Sequence, residues 1–176
     1  VRIEARPGDA RLVLGNWVHL GDATRLLVHE GTMKVGEKSV FGHDNTVICY
    51  LDVDLGPKTL VADWVYICDF DHRTEDITVP IKDPGIVKSP VRVAGDCWMG
   101  TKVSVLRGAD VGTGTVLAAH CVVRGRVPDY SIVGGVPARV LKDRRAAYEA
   151  DAERRAARED IARKTARAAR QSATSA

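Results

Sequence analysis

From Val93 onward an apolar residue returns at every sixth position: Val93, Met99, Val105, Val111, Leu117 and Val123. If about a third of residues qualify, a preset run of six arises by chance roughly once in 700. Four places further along each unit stand Cys97, Val103, Ala109, Thr115, Cys121 and Val127, all small or β-branched. A period of six suits neither a helix, which repeats at 3.6 residues, nor a strand, which repeats at 2. It suits a three-sided prism of short parallel strands, with one apolar residue per side pointing inward. The same beat recurs upstream as Leu14, Leu20 and Leu26, then Val35, Phe41 and Val47, then Leu55, Val61 and Ile67. Each set of three is one turn. Every break follows the third unit of a set, so the insertions all leave from one corner. One turn alone cannot bury its inward residues; stacking turns at a strand spacing of about 4.8 Å builds the core. The predicted fold is all-β, a parallel β-helix over residues 1–141, broken by an excursion loop at about 69–91.

Composition fits one globular domain followed by a tail. The chain has 176 residues, 45% apolar and 28% charged, enough to bury a core. Its net charge of +3 is uneven: residues 142–170 hold ten Lys/Arg against six Asp/Glu, so the remainder is close to neutral. That removes the reason to expect nucleic acid as the main domain's partner. No apolar run approaches the roughly 18 residues of a membrane span, and no signal peptide is visible, so a cytoplasmic location is expected. Residues 142–170, rich in Ala, Arg and Glu, predict a mostly solvated helix, and 171–176 a disordered tail. Pro137 is read as closing the β region. Cys49, Cys68, Cys97 and Cys121 form no C-x-x-C pair, as expected of reduced core residues and not of a disulfide framework or zinc site. "GTGTVLA" at 112–118 is two units of the six-residue repeat; no strand-to-helix change follows it, so it is not a dinucleotide loop.

The "CWMG" at 97–100, the closing "VPDYSIVGGVPARV" and a histidine-bearing loop about twenty residues upstream of the tryptophan resemble the hexapeptide-repeat acyltransferases. Within that group the likeness is to the galactoside, maltose and xenobiotic O-acetyltransferases. It spans roughly residues 12–145 and is most specific over 67–144. The resemblance implies a left-handed β-helix, a homotrimer with active sites between subunits, acetyl-CoA or another acyl-CoA as co-substrate, and no metal. It also implies that His72 is the catalytic base. The chemistry needs such a group: a sugar hydroxyl is a poor nucleophile, and a neutral imidazole can take its proton during attack on a thioester. Asp69, Asp71, Glu75 and Asp76 are all near enough in sequence to orient that imidazole, with Glu75 favoured. The five histidines, 19, 29, 43, 72 and 120, include no close pair, which argues against the zinc-dependent carbonic anhydrases built on similar prisms.

The resemblance also places the thioester donor at the Thr101 backbone and the cofactor groove at Trp98, Ala118 and Ala119. Arg124, Arg126, Arg139 and Lys142 are candidates for the CoA phosphates. Each has an ordinary alternative, an outward-packed aromatic or a surface charge. Asn45 is the first choice for contact with the acceptor hydroxyl, ahead of His43 and Asp44, and Asp52 is expected to shape the same pocket. Two departures stand out: "AAHC" at 118–121 puts His120 where relatives carry glycine, and "RGR" at 124–126 replaces a frequent Thr-Lys pair. The expected activity is O-acetylation of a carbohydrate hydroxyl. N-acetylation of an amino sugar or antibiotic, and a non-catalytic trimeric scaffold, are the alternatives.

Overall fold

The computed structural model describes residues 1–173. Its first turn runs β1 (Arg2–Ala5), β2 (Arg11–Leu14), β3 (His19–Leu20), and its second β4 (Arg25–Val28), β5 (Thr32–Val35), β6 (Val40–Phe41). The third is β7 (Thr46–Cys49), β8 (Asp52–Leu55), β9 (Leu60–Val61). In the fourth, β10 (Tyr66–Cys68) is followed by an outlying hairpin, β11 (Phe70–His72) and β12 (Ile86–Lys88), before β13 (Val91–Val93) and β14 (Trp98–Met99). The fifth is β15 (Ser104–Val105), β16 (Asp110–Val111), β17 (Val116–Leu117); the sixth is β18 (Val122–Val123), β19 (Arg126–Val127), β20 (Ser131–Gly134). A last strand, β21 (Arg139–Asp143), bonds to β20, so the sheet continues past Pro137 and does not close there. The strands stack in three parallel sheets, a first face from β1 to β18, a second from β2 to β19 and a third from β3 to β20.

The six-residue beat is the core. Val93, Met99, Val105, Val111, Leu117 and Val123 are all buried, as are Val35, Phe41, Val47, Leu55, Val61 and Ile67. The first turn departs: Leu14 is 40% exposed, with a stacked turn on one side only. Outside, the faces differ. On the second face Lys34, Asp54, Arg92, Asp110 and Arg126 lie directly opposite one another in register, alternating in charge, the arrangement that favours cross-strand pairing. On the third face the same outward row is Val40, Leu60, Trp98, Val116 and Ile132.

The corners between the third and first faces explain one departure from the family pattern. Ala23, Asp44, Trp64, Lys102 and His120 occupy the same corner position in successive turns, all with φ between 56° and 62°. From Asp44 onward each donates its backbone N–H to the preceding turn's corner, as His120 does to the Thr101 carbonyl at 2.9 Å. Left-handed φ favours glycine, yet this chain repeatedly places other residues here. His120 therefore fills an ordinary corner slot, with its side chain exposed.

The corner between the first and second faces holds the insertions. Gly31 and Gly125 sit there with φ of +65° and +66°, but a Cβ on Gly31 meets the Leu51 carbonyl oxygen at 1.9 Å, whereas a Cβ on Gly125 has nothing within 4 Å. Both alanine variants carry the left-handed penalty of about 1–2 kcal/mol, so their difference isolates the clash. Gly31→Ala is expected to destabilise by about 2 kcal/mol more than Gly125→Ala, measured by denaturant melts. Equal losses would mean the corner opens freely.

The chain divides into a unit at Val1–Lys142 and a second unit from Asp143. In the second, helix α1 spans Arg144–Ala173, three residues into the segment expected to be a disordered tail; the rest of that segment, 174–176, lies outside the described residues. Asp143 caps the helix, accepting the Arg145 N–H at 2.8 Å. Among the described residues no helix is long and apolar enough to cross a membrane.

Candidate active site

At the inserted corner, successive turns contribute His29, Tyr50 and Phe70, which stack in a column with ring centroids 4.6 Å apart at each step. The Phe70 ring is followed by that of His72 at 6.3 Å, edge-on. Beneath the hairpin root, Asp69 is fully buried. Its carboxylate accepts the backbone N–H groups of Tyr50, Leu51 and Asp52 at 2.8, 2.7 and 2.8 Å. The hairpin thus rises from a fixed base, and Ser89 closes it by donating its N–H to the Asp69 carbonyl at 2.9 Å. Burial lowers the pKa of His29, with Arg6 adding to the effect.

His72 ends β11, opposite Ile86 in the antiparallel pair, with its side chain exposed. Its ring makes no hydrogen bond among the described residues, so none of their carboxylates orients it. Glu75, the favoured partner, instead accepts the Thr74 N–H at 3.0 Å, and Asp76 turns onto Thr78. Short loop carboxylates find nearby backbone donors first. Asp71 points elsewhere: it accepts from Arg107 Nε at 3.0 Å and from Arg124 Nη2 at 3.1 Å. Burial raises its pKa, but the Arg107 and Arg124 hydrogen bonds outweigh that and hold the carboxyl below its usual range.

The other candidates gather at the corner between the third and first faces. Thr101 and Ala119 hold equivalent places in adjacent turns, and their backbone N–H groups donate to nothing among the described residues. At the end of the second turn the equivalent N–H, that of His43, is taken by Asp63 at 2.7 Å. The Thr101 hydroxyl donates to the Asp63 carbonyl at 2.9 Å, fixing that residue's place. Ala118 is half-buried beside Ala119, and Trp98 projects from the third face, 50% exposed, between Leu60 and Val116. A row of small residues with open donors can receive an extended amide-bearing arm.

The expected cations are not gathered there. Arg124 lies at the inserted corner, bound to Asp71; Arg126 faces Asp110 on the second face. Arg139 and Lys142 are exposed on β21, with Arg139 donating to the Ala138 carbonyl. His72 and Thr101 flank opposite edges of the first face, so one chain does not bring the two together.

Asn45 requires correction. It is fully buried, inside the prism, and its Oδ1 accepts the Val65 N–H at 2.8 Å; an acceptor cannot reach it. His43 and Asp44 beside it are exposed at the corner. Asp52 is half-buried and paired with Arg92, bordering a shallow depression with Arg11, Thr32 and Lys34 on the second face. All four cysteines are buried free thiols. Burial, with Asp69 nearby, pushes the Cys49 thiol up to about 12, and burial likewise raises Cys68 and Cys121. These are poor thiolate nucleophiles. Among the described residues no group of three or more His, Cys, Asp or Glu is arranged to hold a metal.

Sequence reasoning missed the His29–Tyr50–Phe70 column and the role of Arg107. The column was signalled by register, since its residues fall at the same corner about twenty positions apart.

These coils and corners are those of the hexapeptide-repeat β-helix of acetyltransferases. The chain is 54% identical over 170 residues to the probable acetyltransferase Rv3034c of Mycobacterium tuberculosis, covering 94% of this chain and 57% of that protein. It is 35% identical over 97 residues to the putative lipopolysaccharide biosynthesis O-acetyl transferase WbbJ of Escherichia coli, covering 51% of this chain and 50% of that one. The chain thus spans about half the length of these relatives. No family model matches the sequence. Among solved structures, a galactoside acetyltransferase in complex with coenzyme A superposes with a TM-score of 0.60 at 18% identity, over 76% of this chain and 64% of that one. The hexapeptide-repeat acetyltransferase VCA0836 of Vibrio cholerae, complexed with acetyl-CoA, gives 0.59 at 22%, over 71% and 70%. The chain is a homologue of proteins named as acetyltransferases and has their fold.

Proposed function

We propose that this chain is an acyl-CoA-dependent O-acyltransferase, using acetyl-CoA to acetylate a carbohydrate hydroxyl. The observation that carries the reading is His72, exposed on a hairpin whose root is fixed by the buried Asp69, with a ring that makes no hydrogen bond among the described residues. The relationship to proteins named as acetyltransferases supports it, one of them named for O-acetyl transfer in lipopolysaccharide synthesis.

In this reading the imidazole of His72 takes the acceptor hydroxyl's proton as the oxygen attacks the thioester carbonyl carbon. The C–O bond forms, the Thr101 N–H meets the negative charge on the carbonyl oxygen, the C–S bond breaks, and the proton passes to the departing thiolate. No acyl-enzyme is needed, in keeping with four buried thiols. His72 and Thr101 flank different edges of one prism, so the site is completed between subunits of a homotrimer, whose contacts the apolar row Val40–Leu60–Trp98 on the third face suits. Ala118, Ala119 and Trp98 border the pantetheine arm, and Arg139 and Lys142 are the cations left for its phosphates.

The test is a calorimetric titration with CoA and with acetyl-CoA, followed by an acceptor panel of sugar hydroxyls and amines. Saturation near one site per subunit with transfer to hydroxyls is expected. Transfer to amines alone would make it an N-acetyltransferase; no heat and no shift in melting temperature would make it a scaffold.

A further inference from the structure

The hairpin that carries His72 stands outside the prism and is held to it by a few side chains. Strand β11 is three residues long and pairs only with β12, a two-stranded ribbon outside the three main sheets; such ribbons are marginal alone. Residues 73–83 and Gly85 in the connection are exposed. Along β11 the side chains alternate, so Phe70 and His72 face one way and Asp71 the other. Phe70 packs edge-on against Tyr50 of the third turn. Asp71 reaches Arg107 and Arg124, at the inserted corners of the fifth and sixth turns. Arg107 also contacts Ser89 Oγ at 3.4 Å, where the hairpin returns. One side chain therefore ties the ribbon to two turns beyond the one it leaves, while its neighbours set the opposite face.

We propose that Asp71, held between Arg107 and Arg124, is a positioning residue that fixes the direction in which β11 presents His72. The inference rests on His72 being the base. It also reassigns Arg124 from phosphate contact to this clamp. Either arginine alone still holds the carboxylate, so the pair resists a single loss. Removing the carboxylate charge weakens both at once, and β11 then keeps its three-residue pairing with β12 and the Phe70–Tyr50 contact.

The test uses Asp71→Asn, His72→Ala and the double variant, reading thiol release from acetyl-CoA with water as acceptor and with the best sugar of the panel. Asp71→Asn is expected to lower kcat about 10- to 100-fold, with KM for acetyl-CoA within about twofold and an unchanged melting temperature. In the His72→Ala background it should add less than about twofold, because a residue that acts through His72 has nothing left to position. Hydrogen exchange reads the clamp independently of turnover: amides of residues 70–72 and 86–88 should lose at least tenfold protection, while those of β15 keep theirs. Arg124→Gln should give a smaller effect in the same direction, and it serves if Asp71→Asn fails to fold. Normal kcat in Asp71→Asn, unchanged exchange, or a full extra loss on top of His72→Ala would each overturn the clamp. Full turnover in His72→Ala would instead remove the base assignment, which separates the two failures.

Discussion

His72→Ala is expected to lower turnover at least about 10²-fold, and up to about 10⁴-fold, while CoA affinity stays within about twofold of wild type. The range is that of a positioned general base. The affinity should survive because the contacts proposed for CoA are made by Trp98, Ala118, Ala119, Arg139 and Lys142, whereas His72 acts on the proton of the acceptor hydroxyl. Stability should survive too, since the side chain is exposed and makes no hydrogen bond among the described residues. The measurement pairs steady-state kinetics with a CoA titration on the same preparation. A loss confined to kcat assigns the proton transfer to His72. Unchanged turnover would sink the mechanism, and the buried thiols offer no ready substitute, with Cys49 pushed up to about 12. A variant that loses CoA binding would point to a cofactor contact and not to a base.

The core was legible because a solenoid writes its geometry into the sequence as a period. Each inward residue sees the same environment as its neighbour one turn away, so counting alone locates Met99 or Leu117. Asn45 shows the same rule misapplied. It lies four places after Phe41, the inward offset shared by Cys97, Val103 and Cys121, and the structure buries it accordingly. Family likeness pulled it toward an acceptor role that its register denies. Contacts across turns were harder to see. Asp71 meets Arg107 and Arg124 from 36 and 53 residues away, and nothing local to the "DFDH" stretch distinguishes that pairing from one to Glu75 or solvent. The open N–H groups of Thr101 and Ala119 leave no trace in residue identity, because every residue but proline carries one.

Asp69→Ala should have the largest effect on stability, a loss of about 3–5 kcal/mol, seen as a fall in melting temperature of about 10 °C. The carboxylate is fully buried and satisfies three successive N–H groups at the corner that leads into β8. Hydrogen bonds to a charged acceptor are worth more than neutral ones, and removing the acceptor leaves its donors desolvated and unpaired. Asn should be a poor replacement, because its amide nitrogen is a donor facing other donors. In a stack of turns each contacts chiefly its neighbours, so the damage should centre on turns three and four, with faster hydrogen exchange at residues 50–52 than in β15 or β18. A melting temperature within about 2 °C of wild type would mean that water takes the carboxylate's place and the corner holds without it. The contrast with Asp71 follows from position. Asp69 is built into the wall of the prism, so its loss should appear first as unfolding; Asp71 holds only the ribbon, so its loss should appear first in kcat. The chain places the two carboxylates two residues apart, one supporting the fold from which the hairpin leaves and the other the direction it takes.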